Sequence, residues 1–169
     1  VLQRYPKEDW AVQYVPHGVN ENTFFKITDS HESYDDFVEF STKFKTQHDV
    51  DFVFFWNNRN IRRKQPGDLI IAFKTFCDKL PTDKRSRVGL LLHTAPVDEN
   101  GTDLPAVVKA LAPECKVIFS DGQVSSERLN YYYNMCDVTV NIASNEGFGI
   151  SWCESLHTAT PIINNVTGG

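Results

Sequence analysis

The chain has 169 residues, 41% hydrophobic and 23% charged, with a formal charge of -5, which fits one globular domain with a real core and excludes fibrous and disordered classes. The acidic balance speaks against a nucleic-acid partner, which calls for a basic face. Apolar runs such as residues 52–56 and 90–92 fall far short of the ~20 residues that span a bilayer, and no signal-like segment opens the chain.

Residues 1–30 are punctuated by Pro6, Pro16 and Gly18 and read as an interdomain linker or the end of a missing N-terminal domain. Within them, Tyr14-Val15-Pro16-His17-Gly18-Val19-Asn20 is expected to be a strand leading into a turn, with His17 shaping the linker. From residue 31 to 169, short apolar runs alternate with helical periodicity. A helix is expected over 34–44. Residues 52–55, 88–92, 116–119, 138–142 and 161–163 each have the uninterrupted apolar character of a strand buried on both faces. Between them, Leu69, Phe73, Phe76 and Leu80 form one helical stripe, Leu104, Val107, Val108 and Leu111 a second, and Leu129, Tyr132, Tyr133 and Cys136 a third. Ser125 is the expected N-cap of that third helix, with Glu127 in its first turn. Such repeated strand-helix units predict a doubly wound parallel sheet, an α/β Rossmann-like fold. No G-x-G-x-x-G follows the first strand, so an ordinary dinucleotide site is not supported.

Cys77, Cys115, Cys136 and Cys153 contain no C-x-x-C pair, which argues against a zinc site or disulfide framework and for reduced, mostly buried thiols in a cytoplasmic setting. No metal site is expected: Asp49-Val50-Asp51 leads into a strand instead of following one, at the wrong edge of the sheet. The sequons at Asn100 and Asn165 read as chance matches, and the aromatic residues, Trp56 and Trp152 included, as core.

Ligands of open α/β sheets bind outside the carboxyl ends of the strands. Asn57, Asn58, Arg59 and Lys64 follow the first expected strand, His93 and Thr94 the second, Ser120 to Gln123 the third, Ala143, Ser144 and Glu146 the fourth, and Asn164 to Gly169 the fifth. Arg59, Arg62, Arg63 and Lys64 concentrate positive charge in an acidic chain. In Glu146-Gly147-Phe148-Gly149-Ile150-Ser151-Trp152-Cys153-Glu154, a helix beginning at Gly149 would put one carboxylate on the loop before it and the other a turn inside it. The amides of Gly147, Phe148 and Gly149, ahead of Ile150, would then form an anion-tolerant cradle at the positive end of the helix dipole. This arrangement suits a ligand that is both phosphate and polyol. His93 suits either a ligand contact or a structural role, and His157 a packing or surface one.

In this order the segments resemble the C-terminal, donor-binding half of a GT-B glycosyltransferase of family 4, also called glycosyltransferase group 1. Val15-Pro16-His17-Gly18-Val19-Asn20 resembles its interdomain segment, Arg59 and Lys64 its phosphate loop, residues 117–124 and 129–138 its base-binding region, and Pro161-Ile162-Ile163 with Gly168-Gly169 its close. The resemblance implies a nucleotide-diphosphate sugar as donor, no metal cofactor, and transfer with retention of configuration. Arg59 and Lys64 would hold the diphosphate and stabilise the leaving charge, Gln123 and Val124 the base, and Glu154 the ribose hydroxyls. Glu146, with Gly147, Phe148, Gly149 and Ile150, would hold the transferred sugar. The acceptor, a carbohydrate, lipid or other molecule, would be bound mainly by a missing N-terminal domain. The chain is accordingly read as a fragment, inactive alone and able to self-associate, from a parent that is cytoplasmic or membrane-associated.

Three positions depart from the family pattern. Asn58 replaces a glycine and suits a turn with positive φ; Ala143 replaces a serine; Ala159 replaces a glycine and predicts a differently shaped corner. A GT-B-fold epimerase or phosphorylase, and a non-catalytic scaffold, are the alternative readings.

Overall fold

The computed structural model describes residues 15–120 and 122–167. Five strands, β1 (Phe52–Asn57), β2 (Val88–His93), β3 (Lys116–Ser120), β4 (Val138–Asn141) and β5 (Ile162–Asn164), form one sheet in the order β3-β2-β1-β4-β5. Every neighbouring pair is parallel. Helix α1 (Tyr34–His48) precedes β1, and α2 (Pro66–Asp78) and the short α3 (Thr82–Arg85) join β1 to β2. Helices α4 (Leu104–Leu111), α5 (Ser126–Met135) and α6 (Ile150–His157) make the remaining connections. The chain steps outward from β1 to β3 and then returns to the far side of β1, so its direction reverses between β1 and β4. That reversal opens a crevice at the carboxyl ends of those two strands.

Both sheet faces are apolar because the strands must pack on both sides. Trp56, Leu90, Leu92 and Val140 meet Leu69, Ile70, Phe73 and Cys77 of α2 and Leu104 of α4. Val53, Phe55 and Leu91 point the other way, into Phe44 of α1 and Tyr133 and Met135 of α5. The doubly wound parallel architecture expected from the sequence is therefore present. Its alternation along β1 follows from the two-residue period of a strand.

All five expected strands occur, with ends shifted by one or two residues, but β5, at the edge of the sheet, is not buried on both faces, and Ile163 is 52% exposed. Helix α1 runs four residues beyond its expected end, to His48, and stops where Asp49 takes a left-handed φ of 52°. Ser125 caps α5, its side chain accepting from Arg128 N at 3.2 Å. Some stripe residues stay in water: Phe76 is 39% and Leu111 44% exposed.

Other expectations are corrected. Tyr14, Gly168 and Gly169 lie outside the described residues. Residues 15–20 pair with no strand among the described residues, although the turn after them forms, with Thr23 N and Phe24 N bonding to Asn20 O at 3.0 Å each. Phe24 and Ile27, inside the stretch read as linker, are buried. They are held against α5 by two buried asparagines: Asn134 Oδ1 accepts from Ile27 N at 2.9 Å, and Asn130 Oδ1 from Phe25 N at 3.2 Å. Asn58 does not take positive φ; Gln65, six residues after Arg59, takes it instead at 54°. Ala159 adopts φ 55°, so the corner keeps the left-handed turn a glycine would make and carries the Cβ strain of that conformation.

A candidate nucleotide-sugar site at the strand ends

The register of β1, β2 and β3 aligns Asn57, His93 and Ser120 in a row at the carboxyl edge. Beyond Asn57 the chain makes a loop containing a 3-10 turn, Arg62–Lys64, before Pro66 starts α2. Asn60 fixes this loop. Fully buried, it donates through Nδ2 to Thr102 O at 2.6 Å and to Ala95 O and Pro96 O at 3.3 Å each, and accepts from Thr102 N at 3.2 Å. Gly101 packs so closely that a Cβ there would lie 2.2 Å from the Asn60 carbonyl oxygen. The loop after β1 and the loop after β2 are thereby tied together.

This tie sends the two predicted cations different ways. Lys64 turns inward and is buried. Its Nζ makes a short ion pair with Glu146 Oε1 and donates to Asn58 Oδ1 at 2.6 Å. Arg59 turns outward to Asp98, Nε to Oδ2 at 3.0 Å, with 63% of its side chain exposed. Arg63 occupies the inner position instead, donating through Nη1 to Asn145 O at 2.8 Å and Glu146 Oε2 at 3.2 Å, while its carbonyl accepts from Ser144 N at 2.9 Å.

Glu146 is 6% exposed. Burial pushes its carboxyl up, but the bond from Asn141 Nδ2 at 2.9 Å and those from Lys64 and Arg63 outweigh it and hold the group below the usual range, as a carboxylate. Glu154, one turn inside α6, has no cation bonded to it among the described residues. Burial raises it above the ordinary value, against the lowering effect of donors from Tyr133 and Asn57. Between the two carboxylates, Gly149 takes φ 82° as the residue before α6, and a Cβ there would sit 2.9 Å from the Trp152 ring. A side chain at Gly147 would meet nothing within 4 Å, so the loop backbone lies open to a ligand. Phe148 packs on His17, ring centroids 5.1 Å apart. Together these residues line an open cleft of about 410 Å³, within the ~300–1,000 Å³ of ligand sites. Asn58 Nδ2, in its wall, is buried without a hydrogen-bond partner among the described residues.

The structure therefore brings together Lys64, Glu146, Gly147, Phe148, Gly149, Ile150 and Glu154. It leaves Arg59 on the rim with Asp98. Gln123 and Val124 stand on the loop between β3 and α5, outside the lining of this cleft. It adds Arg63 and Asn57, which the sequence offered only as a loop charge and a strand end, and His17, read as shaping the linker. Tyr133 was read only as part of a helical stripe and Asn141 only as part of a strand; the first meets Glu154 and the second Glu146. His93 bonds Ser120 Oγ through Nδ1 at 2.5 Å and lies outside the cleft lining, its imidazole lowered by burial. Asp49 and Asp51 hold Arg87 at the opposite edge, and Asp49 also holds Lys116.

No family model matches the chain. An alpha-monoglucosyldiacylglycerol synthase from Acholeplasma laidlawii is 26% identical over 159 residues, 93% of this chain and 36% of that protein. The chain thus spans about a third of the curated relative's length. The C-terminal domain of a glycosyl transferase group 1 family protein from Francisella tularensis superposes with a TM-score of 0.60 at 18% identity, over 87% of this chain and 70% of that one. The Anabaena protein HepE, solved in complex with UDP-glucose, gives 0.67 at 18% identity over 90% and 38%. The fold is that of the C-terminal Rossmann-like domain of GT-B glycosyltransferases. Among the described residues no helix is long and apolar enough to cross a membrane.

Proposed function

We propose that the chain is the nucleotide-sugar-binding domain of a retaining, metal-independent glycosyltransferase of family 4, of the hexosyltransferase type. The observation that carries this reading is a cleft at the strand ends where Lys64, Arg63, Glu146, the backbone of residues 147–149 and Glu154 converge. Breaking the bond between the sugar's anomeric carbon and the diphosphate leaves the electron pair on a phosphate oxygen. Fixed cations in a partly dry cleft stabilise that charge without a metal. Lys64 supplies one. Arg59, on the rim with 63% of its side chain exposed, supplies another by exchanging Asp98 for phosphate. Glu146, held ionised, accepts from hydroxyls of the transferred sugar, and Glu154 from the ribose; the loop carrying Gln123 and Val124 meets the base.

The acceptor, a carbohydrate or lipid, is held mainly by a further domain, and closure of that domain over the cleft excludes water. Without it the chain binds donor and transfers nothing. The proposed setting is cytoplasmic, with membrane association through the acceptor, and exposed apolar residues such as Ile71, Phe76 and Ile163 favour self-association of the isolated chain.

Calorimetric titration with UDP, GDP and ADP, without metal, tests the reading. One nucleotide should bind, and Lys64→Ala and Arg59→Ala should each weaken it by roughly tenfold or more, the range for a charge-assisted contact. Absence of binding by all three, in the chain and in its full-length parent, would overturn it.

A further inference from the structure

Glu154 offers the cleft only one of its two oxygens. Oε2 accepts from the Tyr133 hydroxyl at 2.6 Å, and Asn57 Nδ2 donates both to that hydroxyl oxygen at 2.9 Å and to Oε2 at 3.4 Å. A phenol has one hydrogen to give, and here it goes to the carboxylate. The three side chains come from α5, α6 and the end of β1, so the ring they close spans three elements. Tyr133 is fully buried and Glu154 8% exposed. Oε1 is left for the cleft that Glu154 lines.

We propose that Tyr133 and Asn57 are positioning residues for sugar selection: by occupying Oε2 they aim Oε1 at the cleft as a fixed acceptor, so that the site distinguishes a ribose from a deoxyribose. This rests on the nucleotide-binding reading above and deepens it. A flexible carboxylate could accept from water as readily as from a ligand hydroxyl. One already held at a second oxygen cannot turn away without unpairing a buried phenol. A ligand hydroxyl then completes a network, and a deoxy ligand leaves Oε1 short of a partner in a confined place. The ring of Tyr133 has a separate task, packing edge-on against Phe55 and Phe24 with centroids 5.0 and 6.0 Å apart. Tyr133→Phe therefore removes the hydroxyl and keeps the packing.

The test is calorimetric titration of wild type, Tyr133→Phe and Asn57→Ala with UDP, GDP and ADP and with their 2′-deoxy counterparts. Wild type should prefer the ribonucleotide by at least about tenfold, the loss expected of one hydrogen bond to a charged group. Both variants should narrow that preference to within about threefold, because ribonucleotide binding weakens more than deoxynucleotide binding does. Near-UV circular dichroism reports whether Tyr133→Phe folds, and Asn57→Ala gives the answer alone if it does not. Equal losses for both nucleotide types, as a general packing defect gives, would overturn the inference. So would an undiminished preference, or a wild type that binds nucleotides without any preference; each of these outcomes leaves the nucleotide-binding reading standing. A wild type that binds no nucleotide at all removes both.

Discussion

Glu146 and Glu154 line one cleft and respond to acid in opposite ways. The carboxyl of Glu146 is held below its ordinary value, so its contribution to stability is present above that value and is lost as the pH falls through the lowered one. For Glu154 the shift is upward, caused first by burial. Its contribution is complete below the ordinary value and is lost as the pH rises through the raised one. At neutral pH the ionised Glu154 therefore costs the folded state free energy that a neutral side chain would not. Glu154→Gln, which keeps an acceptor for the Tyr133 hydroxyl, should unfold at a higher temperature than wild type at pH 7.5, with the difference closing toward pH 4. The same substitution should weaken nucleotide binding by about tenfold, since a charged acceptor is replaced by a neutral one. Thermal melts across pH and one titration check both halves. The spacing of the two glutamates was legible in the sequence; their opposite titration was not, because it depends on the burial of Glu154 and on the pairing of Glu146 with Lys64, 82 residues away.

At the scale of elements, the loops after β1 and β2 act as one piece because Asn60 joins them. Asn60→Ala removes all four side-chain bonds and leaves the Thr102 amide without its asparagine partner. A cost of about 2–3 kcal/mol in urea denaturation is expected. The Asp98 partner of Arg59 should lose its fixed place as well. This explains why the strands were legible in the sequence and the directions taken by the arginines were not. A buried parallel strand announces itself by an unbroken apolar run, as in residues 88–92, and a helix by its stripe. Which of Arg59 and Arg63 faces inward depends on a contact between Asn60 and Thr102, forty-two residues on, for which no local pattern exists. The strand expected to run from Tyr14 toward the turn at Asn20 is absent from the described residues 15–20 for a related reason: extension becomes a strand only beside a partner.

For the whole molecule, the reversal of strand order between β1 and β4 decides where a site can form; the five apolar runs of the sequence announced the strands and the doubly wound sheet, not their order. Nor did they announce the docking of the incoming segment. Phe24 inserts beside Tyr133, Asn130 and Asn134 grip Phe25 and Ile27, and His17 reaches Phe148 at the cleft. Asn134→Ala should therefore speed hydrogen exchange at the Ile27 amide by about tenfold or more, as expected when one bond of about 1–1.5 kcal/mol is lost, with the amides of β1 and β2 unchanged. The grip has a mechanical meaning. A single short segment is clamped along α5, which carries the Tyr133 partner of Glu154, and touches Phe148 ahead of α6, so it joins the rim of the cleft to the helix behind it.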